Sequence, residues 1–216
     1  MSNQPQPHRD RYDVSGNIEA EYFDEARAVL VNKLGLHTLE ELHVAEEEGL
    51  AKAYEELLAD VRVDTPMTCD LLRHIHAAIF GHIYEWAGHW RTVTISKPGI
   101  TWPPPLFVPQ SMDEFERKVL KKHPAHTLVD EDAFCSAIAE IQGEFLTVHP
   151  FREGNARTIK LMTDLLAAQT GRRLLVYDDS DAGRDTYIRA ASEAFKMNYQ
   201  PMTDVIRAAL AAAKRL

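Results

Sequence analysis

Residues 134–169 read FCSAIAEIQGEFLTVHPFREGNARTIKLMTDLLAAQ, a pattern that predicts two helices joined by a short loop. In the first half, apolar residues recur at steps of four and three, the period of one buried helix face: Phe134, Ile138, Ile141, Phe145 and Val148. This helix should begin near Asp130. It must end at Val148 or His149, because Pro150 disfavours helical geometry in the residue before it.

The rest of the chain is also predicted to be mostly helical. Thr38-Leu39-Glu40-Glu41 has the form of a capping box and opens a helix to about Asp60, whose eight acids are interpreted as a solvated face. Ser111 to Glu114 has the same form. Further helices are expected at about 67–87, 111–122, 155–169, 181–196 and 201–215.

One segment departs from the helical pattern. Residues 91–95 alternate and are rich in β-branched side chains, which predicts a strand. Pro98-Gly99 and the prolines 103–105 then prevent a longer sheet. We expect a short hairpin, here called the flap, at about residues 91–108. Residues 1–23 are predicted to be an N-terminal arm and 24–216 a single domain.

The amino-acid composition limits the expected partners and the expected location of the protein. The 216 residues carry a net charge of −9, so neither nucleic acid nor a membrane is an expected partner. Residues 152–173 are an exception, with five bases and two acids, a net charge of +3 that predicts a local phosphate site. Two cysteines, no membrane-spanning apolar run and a polar, Pro-containing amino terminus predict a cytoplasmic protein, with export as an effector left open.

The loop between the two central helices carries the chemistry. Gly154 and Asn155 open a helix, so free backbone N–H groups can bind an anion there. Arg157 and Lys160, on one face of the next turn, add positive charge. Glu153 is an oxygen ligand suited to Mg²⁺, and His149 can accept a proton near neutral pH.

Two interpretations of the loop remain open on this reasoning. The residues fit phosphoryl or nucleotidyl transfer from a Mg-nucleotide. Alternatively, the loop is a capped helix start in which His149 and Glu153 satisfy backbone groups. In either case Phe151 is expected to anchor the loop in the core.

The segment His149-Pro150-Phe151-Arg152-Glu153-Gly154-Asn155-Ala156-Arg157 resembles the active-site motif of the Fic (Fic/Doc) family, His-x-Phe-x-Asp/Glu-Gly-Asn-x-Arg. The segments 84–88 and 91–97 are similar to the family's approach to its flap, and the matched pieces span about Val29 to Asn198. The resemblance implies a mostly α-helical Fic fold with a hairpin flap.

It also implies a protein adenylyltransferase, which moves AMP from ATP to a Tyr, Thr or Ser hydroxyl of a target protein. His149 would be the general base and Glu153 the Mg²⁺ ligand. The flap would hold the target by strand addition at Thr94, Ile95 and Ile100. Nucleotide and phosphate contacts would come from Gly154, Asn155, Ala156, Arg157, Lys160, Tyr187 and Asn198.

Two residues depart from the family pattern. Ala156 replaces a glycine, and Lys160 replaces an arginine that can make two parallel hydrogen bonds. These changes leave two alternatives open: transfer of another phosphate-containing group, or a non-catalytic Fic module that binds a nucleotide or a partner.

The remaining signals are weaker. Residues 15–20 resemble the family's inhibitory pattern, in which Glu19 would pair with Lys160, although an uninvolved arm is the preferred interpretation. A separate inhibitor or antitoxin protein is then a further expectation. Tyr187 and Asn198 fit core packing and a helix end equally well. His74 and His76 point to different helix faces and cannot share a metal.

Overall fold

A computed structural model describes residues 17–23, 28–97 and 99–214, and these residues are mostly helical, as predicted. Ser15 and Gly16, which belong to the proposed inhibitory pattern, lie outside the described residues. The described residues form a two-stranded antiparallel sheet, β1 (Ser96–Lys97) and β2 (Ile100–Thr101), and seven α-helices. The helices are α1 (Leu39–Asp60), α2 (Cys69–Phe80), α3 (Val108–Lys118), α4 (Glu131–Val148), α5 (Asn155–Gln169), α6 (Asp181–Ala194) and α7 (Gln200–Ala213).

Helix α4 forms the centre of the core and packs against α3, α5, α6 and α7. Its predicted apolar stripe is buried except for Val148, which is half-buried, and each large side chain removed from water contributes roughly 1.5–3 kcal/mol. Gly143 allows close packing on the opposite side, because a Cβ there would lie 2.9 Å from the Ala194 side chain. The central helix thus carries the loop of residues 149–154 at its carboxyl end.

The predicted helix starts at Thr38 and Asp130 are confirmed. The Thr38 hydroxyl accepts the Glu41 N–H and also contacts its carboxylate, and Asp130 Oδ1 accepts the Ala133 N–H at 2.7 Å. The acidic face of α1 is exposed with one exception. Glu46 is buried, so the interpretation of all eight acids as solvated was wrong for this residue.

Three predicted boundaries were also wrong. The regular part of the 67–87 helix ends at Phe80, and tight turns follow. The Ser111 capping box is not a helix start, because α3 begins at Val108 with Pro109 in its first turn. The strand predicted at 91–95 is irregular, and the paired residues lie just beyond it.

The described part of the predicted N-terminal arm contacts the helical body. Tyr22 pairs with Leu30 in an isolated β-bridge, and Val31 N–H donates to Glu21 O at 3.1 Å. The boundary between arm and domain therefore remains a prediction. Within the described ranges, none of the helices is both long and apolar enough to cross a membrane.

Candidate active site

The loop between α4 and α5 is shaped by two left-handed residues. His149 ends α4 with φ 50° and ψ 62°, and Gly154 begins α5 with φ 75°. A Cβ on Gly154 would lie 2.2 Å from the Phe80 ring, so only glycine fits both the backbone and the space. The loop therefore lies directly against α2.

The side chain of Asn155 closes the loop on itself. Its Oδ1 accepts the Phe151 N–H and its Nδ2 donates to Phe151 O, both at 2.9 Å. Phe151 is fully buried, which confirms it as the apolar anchor. The contribution that Asn155 can make to an anion site is therefore its backbone N–H.

His76 on α2 supports the loop by packing against Phe151. It is fully buried and its ring stacks on Phe151 at a centroid distance of 3.8 Å. Its Nδ1 accepts the Gly88 N–H at 2.8 Å, so Nε2 carries the proton and donates to Glu153 O at 3.1 Å. Burial lowers the pKa of His76 to about 3, which keeps it neutral. The sequence analysis excluded a metal role but missed this structural one.

Three backbone donors are free at the start of α5. The first regular helical bond runs from Thr158 N–H to Gly154 O at 3.0 Å. The N–H groups of Asn155, Ala156 and Arg157 therefore have no carbonyl within the helix to bond to. These free donors could bind an anion, and the anion site stays a prediction.

The predicted base, His149, lies at the other end of the loop. Its ring lies 4.2 Å from the Trp102 ring, and its Nδ1 is 3.3 Å from Leu146 O, which also accepts Trp102 Nε1. This contact assigns the proton to Nδ1 and leaves the Nε2 lone pair available. Burial lowers the pKa of His149 to about 4, so the ring is neutral at physiological pH.

Arg91 fastens the loop to the flap. It is 2% exposed, and its guanidinium donates to His149 O at 2.8 Å, Val93 O at 2.9 Å and Pro103 O at 2.7 Å. Its backbone N–H donates to Pro150 O at 2.8 Å. Residues 91–95 do not form the predicted strand, because the Arg91 N–H donates to the loop, the Thr92 N–H donates to Glu19 and Val93 O accepts from the Arg91 side chain. Of these described residues, only Ile95 O bonds across the hairpin, where it accepts the Trp102 N–H at 3.4 Å.

Arg157 is held in place by a buried carboxylate that the sequence analysis overlooked. Glu46 on α1 accepts Arg157 Nη1 at 2.7 Å and the Tyr84 hydroxyl at 2.7 Å. The guanidinium also lies over the Phe80 ring, 4.8 Å from its centroid. The sequence does contain a signal that Glu46 is buried. It lies on the same helical stripe as the apolar or small residues Leu42, Gly49, Ala53 and Leu57.

Glu153, the predicted Mg²⁺ ligand, has a half-exposed side chain. Its Oε1 accepts the Gly154 N–H at 3.0 Å and lies 3.9 Å from Arg157 Nη2. No cluster of three or more metal-binding side chains exists among the described residues. One accessible carboxylate fits Mg²⁺, which commonly takes its other ligands from substrate phosphates and water.

Lys160 and Tyr187 are brought together, and both make contacts within the protein. The Lys160 ammonium lies over the rings of Tyr177 and Tyr187, at 4.0 and 4.2 Å. The Tyr187 hydroxyl donates to Gln142 Oε1 at 2.8 Å. Burial lowers the pKa of Lys160 to about 8, and nearby Asp164 opposes this shift.

The other predicted site residues lie further out. Asn198 is exposed after α6 and donates to the Glu193 carboxylate at 3.2 Å, which agrees with the helix-end interpretation. Thr94 is exposed, and Ile95 and Ile100 are half-buried on the flap. Glu19 is buried and accepts the Thr92 N–H at 2.8 Å.

The helices, the flap and the loop between α4 and α5 form the candidate site. Comparison with known sequences shows which family the sequence around this site resembles. Residues 66–167 match the sequence model of the Fic/DOC family. The resemblance to the Fic (Fic/Doc) family is therefore confirmed over this part of the chain, which includes the flap, α4, the loop and most of α5.

Two sequence relatives and one solved structure are similar over most of the chain. It is 27% identical to "Protein adenylyltransferase VbhT" of Bartonella schoenbuchensis over 86% of this chain and 38% of that protein, so it spans well under half of VbhT. It is 25% identical to "Probable protein adenylyltransferase y4lH" of Sinorhizobium fredii, over 80% of this chain and 91% of that one.

The solved structure is that of BepC, a VirB-translocated effector protein of Bartonella tribocorum with bound AMPPNP. It has a TM-score of 0.70 and 20% identity, and the match covers 89% of this chain and 97% of that one. At this identity the likeness establishes the fold.

Proposed function

We propose that this chain is a protein adenylyltransferase, which transfers AMP from Mg-ATP to a Tyr, Thr or Ser hydroxyl of a target protein. One observation carries the proposal. A neutral, half-buried histidine with an available Nε2 ends α4, six residues before the first of three free backbone donors at the start of α5. A proton acceptor and an anion site on one rigid loop are what transfer of a phosphate group to a hydroxyl requires.

The nucleotide phosphates would bind at the start of α5. The N–H groups of Asn155, Ala156 and Arg157 would donate to the anion, and the positive end of the helix dipole would favour its charge. Arg157 already lies at this end of the helix, held by Glu46. Glu153 would hold Mg²⁺, which when bound neutralises charge on the α- and β-phosphates.

The chemical step is a displacement at the α-phosphorus. The target hydroxyl gives its proton to His149 Nε2 as its oxygen bonds to phosphorus. The bond between the α-phosphorus and the bridging oxygen breaks, and pyrophosphate leaves with the bonding electrons. The products are adenylylated target, pyrophosphate and a proton carried by His149.

The flap would present the target hydroxyl. β1 and β2 pair only with each other among the described residues, so each strand leaves one edge available to an extended segment. Strand addition uses backbone bonds, with side-chain contacts from Thr94, Ile95 and Ile100. Trp102 follows β2 and its ring lies 4.2 Å from the His149 ring, which supports a flap that presents the hydroxyl to this histidine.

The relatives support this proposal independently of the geometry. VbhT and y4lH are both named as protein adenylyltransferases, and BepC was solved with an ATP analogue bound. The effector description of BepC agrees with the prediction that left export open. A cytoplasmic location, the absence of a nucleic-acid partner and a separate inhibitor protein remain predictions.

The position of Lys160 favours an alternative function. The Lys160 ammonium lies between two tyrosine rings and would have to leave them to reach a phosphate. A Fic domain that orients its nucleotide differently could transfer another phosphate-containing group, or bind a nucleotide without transfer.

Labelled ATP separates these functions. The protein is incubated with Mg²⁺, cell lysate and ATP labelled at either the α- or the γ-phosphate. Adenylylation predicts protein labelling from α-label only, lost in His149→Ala and retained in His74→Ala, since His74 is an exposed histidine outside the loop. Labelling from the γ-phosphate would mean a kinase, and nucleotide binding without any labelling would favour the binding module.

A further inference from the structure

Glu19 is a buried carboxylate in an otherwise accessible segment. It is 5% exposed, while its neighbours Ile18 and Glu21 are exposed. A carboxylate removed from water is costly unless it accepts hydrogen bonds, so its partners indicate what the segment does.

The partner of Glu19 is the root of the flap. Glu19 Oε2 accepts the Thr92 N–H at 2.8 Å, and Asn17 Nδ2 donates to the Thr92 hydroxyl at 2.9 Å. Asn17 also accepts the Glu19 N–H at 3.1 Å, which orders the turn between them. Both the backbone and the side chain of Thr92 are therefore held by this segment.

Thr92 follows Arg91, which bonds to the carbonyls of His149, Val93 and Pro103. Burial lowers the pKa of Arg91 to about 10, and the negative charge of Glu19 opposes this shift. Glu19 thus favours the charged form of the arginine that joins the flap to the catalytic loop.

The segment also contacts the loop from its other side. Arg152, within the loop, donates from Nε to Glu19 O at 2.8 Å and from Nη2 to the Tyr22 hydroxyl at 2.5 Å. Residues 17–22 therefore bridge the flap root and the catalytic loop.

We propose that Glu19 is a positioning residue that fixes the flap root relative to the catalytic loop, and that it supports activity instead of inhibiting it. Its carboxylate bonds to Thr92, whereas the ammonium of Lys160 lies over two tyrosine rings. The consequence for activity rests on the proposed function, because the flap is taken to present the target. The anchoring of Thr92 by Glu19 does not rest on the proposed function.

The test compares Glu19→Ala, which removes the acceptor, with Glu19→Gln, which keeps an amide oxygen for the Thr92 N–H. Glu21→Ala removes the same charge from an exposed position and is the control. Three quantities are measured: amide exchange at Thr92, the affinity for AMPPNP, and the rate of labelling of lysate proteins from α-labelled ATP.

In Glu19→Ala, Thr92 exchange should accelerate and labelling should fall by about tenfold, with AMPPNP affinity within about twofold of wild type. Glu19→Gln should recover most of the labelling, and Glu21→Ala should match wild type. Increased labelling in both Glu19 variants would overturn the proposal in favour of inhibition, and unchanged exchange in Glu19→Ala would overturn the anchoring. If the wild type labels nothing, the proposed function fails, and Thr92 exchange still decides the anchoring.

Discussion

At the scale of single residues, His149 owes its properties to its position after the last turn of α4. Its left-handed backbone turns the ring against Trp102 and brings Nδ1 to Leu146 O. A helix carboxyl terminus would favour the charged imidazole, but burial dominates and lowers the pKa to about 4. The residue is thus a neutral acceptor over the whole physiological range.

This pKa predicts the acid limb of the pH–rate profile. A base works in its unprotonated form, which persists until the pH falls to about 4, so kcat at saturating Mg-ATP should stay nearly constant from about pH 7 to about pH 5. The measurement is the initial rate of labelling from α-labelled ATP across that range. A decline centred near the ordinary histidine pKa of about 6.5 would contradict the account.

Gly154→Ala tests the fit of the loop against α2. The substitution combines a left-handed backbone with a Cβ 2.2 Å from the buried Phe80 ring, and should cost about 2–5 kcal/mol of unfolding free energy. Gly171→Ala is the matched control, because its φ of +72° is similar and nothing lies near its Cβ. It should cost only about 1 kcal/mol in urea denaturation. Equal costs for both variants would show that the contact with Phe80 is unimportant.

The sequence predicts the roles of residues whose interactions are with their near neighbours in the chain. The histidine, the glycine and the helix-start donors lie within nine residues of one another, and their geometry follows from helix rules. The roles of Glu46, Arg91 and His76 could not be predicted in the same way, because each depends on a partner far away in the chain. Glu46 and Arg157, for example, are 111 residues apart.

At the scale of elements, α4, the loop and α5 form one rigid unit. The bounds of both helices follow from apolar periodicity, Asp130, Pro150 and Gly154, and they were predicted almost to the residue. The flap could not be predicted so well. Part of its backbone bonds to the Arg91 side chain and to the loop between α4 and α5, and no local pattern reveals that pairing.

Arg91→Met tests the joint between the flap and the loop. The variant leaves the carbonyls of His149, Val93 and Pro103 without their donor and should lower the unfolding free energy by about 3 kcal/mol. The exposed Arg117 on α3 is the control, since its replacement by Met should change stability by less than about 0.5 kcal/mol. Urea denaturation of both variants measures the difference, and similar effects would refute a special role for Arg91.

At the scale of the whole molecule, the charge distribution is more selective than the sequence indicated. Residues 152–173 carry a net charge of +3 and the remainder −12. However, Arg172 donates to the carbonyls of Leu128, Val129 and Asp130, and Arg173 donates to Ala213 O, so both fasten the far end of α5. Of the predicted gathering of positive charge, Arg157 lies at the start of α5, whereas Lys160 lies over the rings of Tyr177 and Tyr187.

Buried histidines predict that the fold weakens in mild acid. The pKa values of His76 and His149 are lowered to about 3 and about 4, so the unfolded chain binds more protons below about pH 6.5, and stability falls as the pH falls. Asp164 acts in the opposite direction below about pH 6, because burial raises its pKa to about 6. The effect of the two histidines is larger than that of Asp164, so the free energy of unfolding should fall by about 2 kcal/mol between about pH 7 and about pH 5.

Urea denaturation at these two pH values measures the loss. His76→Gln should reduce the pH dependence, because an amide can make the same two hydrogen bonds without titrating. His74→Gln should leave it unchanged, since His74 is exposed. Stability that rises toward acid in the wild type would show that the histidines are not neutral in the folded protein.

The most direct test of the central claim compares nucleotide binding with transfer in one variant, His149→Ala. The proposed function puts the phosphates at the start of α5 and the proton on His149, so the two properties should separate. We predict that His149→Ala binds AMPPNP within about twofold of wild type while labelling from α-labelled ATP falls by about 10²- to 10⁴-fold. Labelling near the wild-type rate would contradict the assignment of His149 as the base.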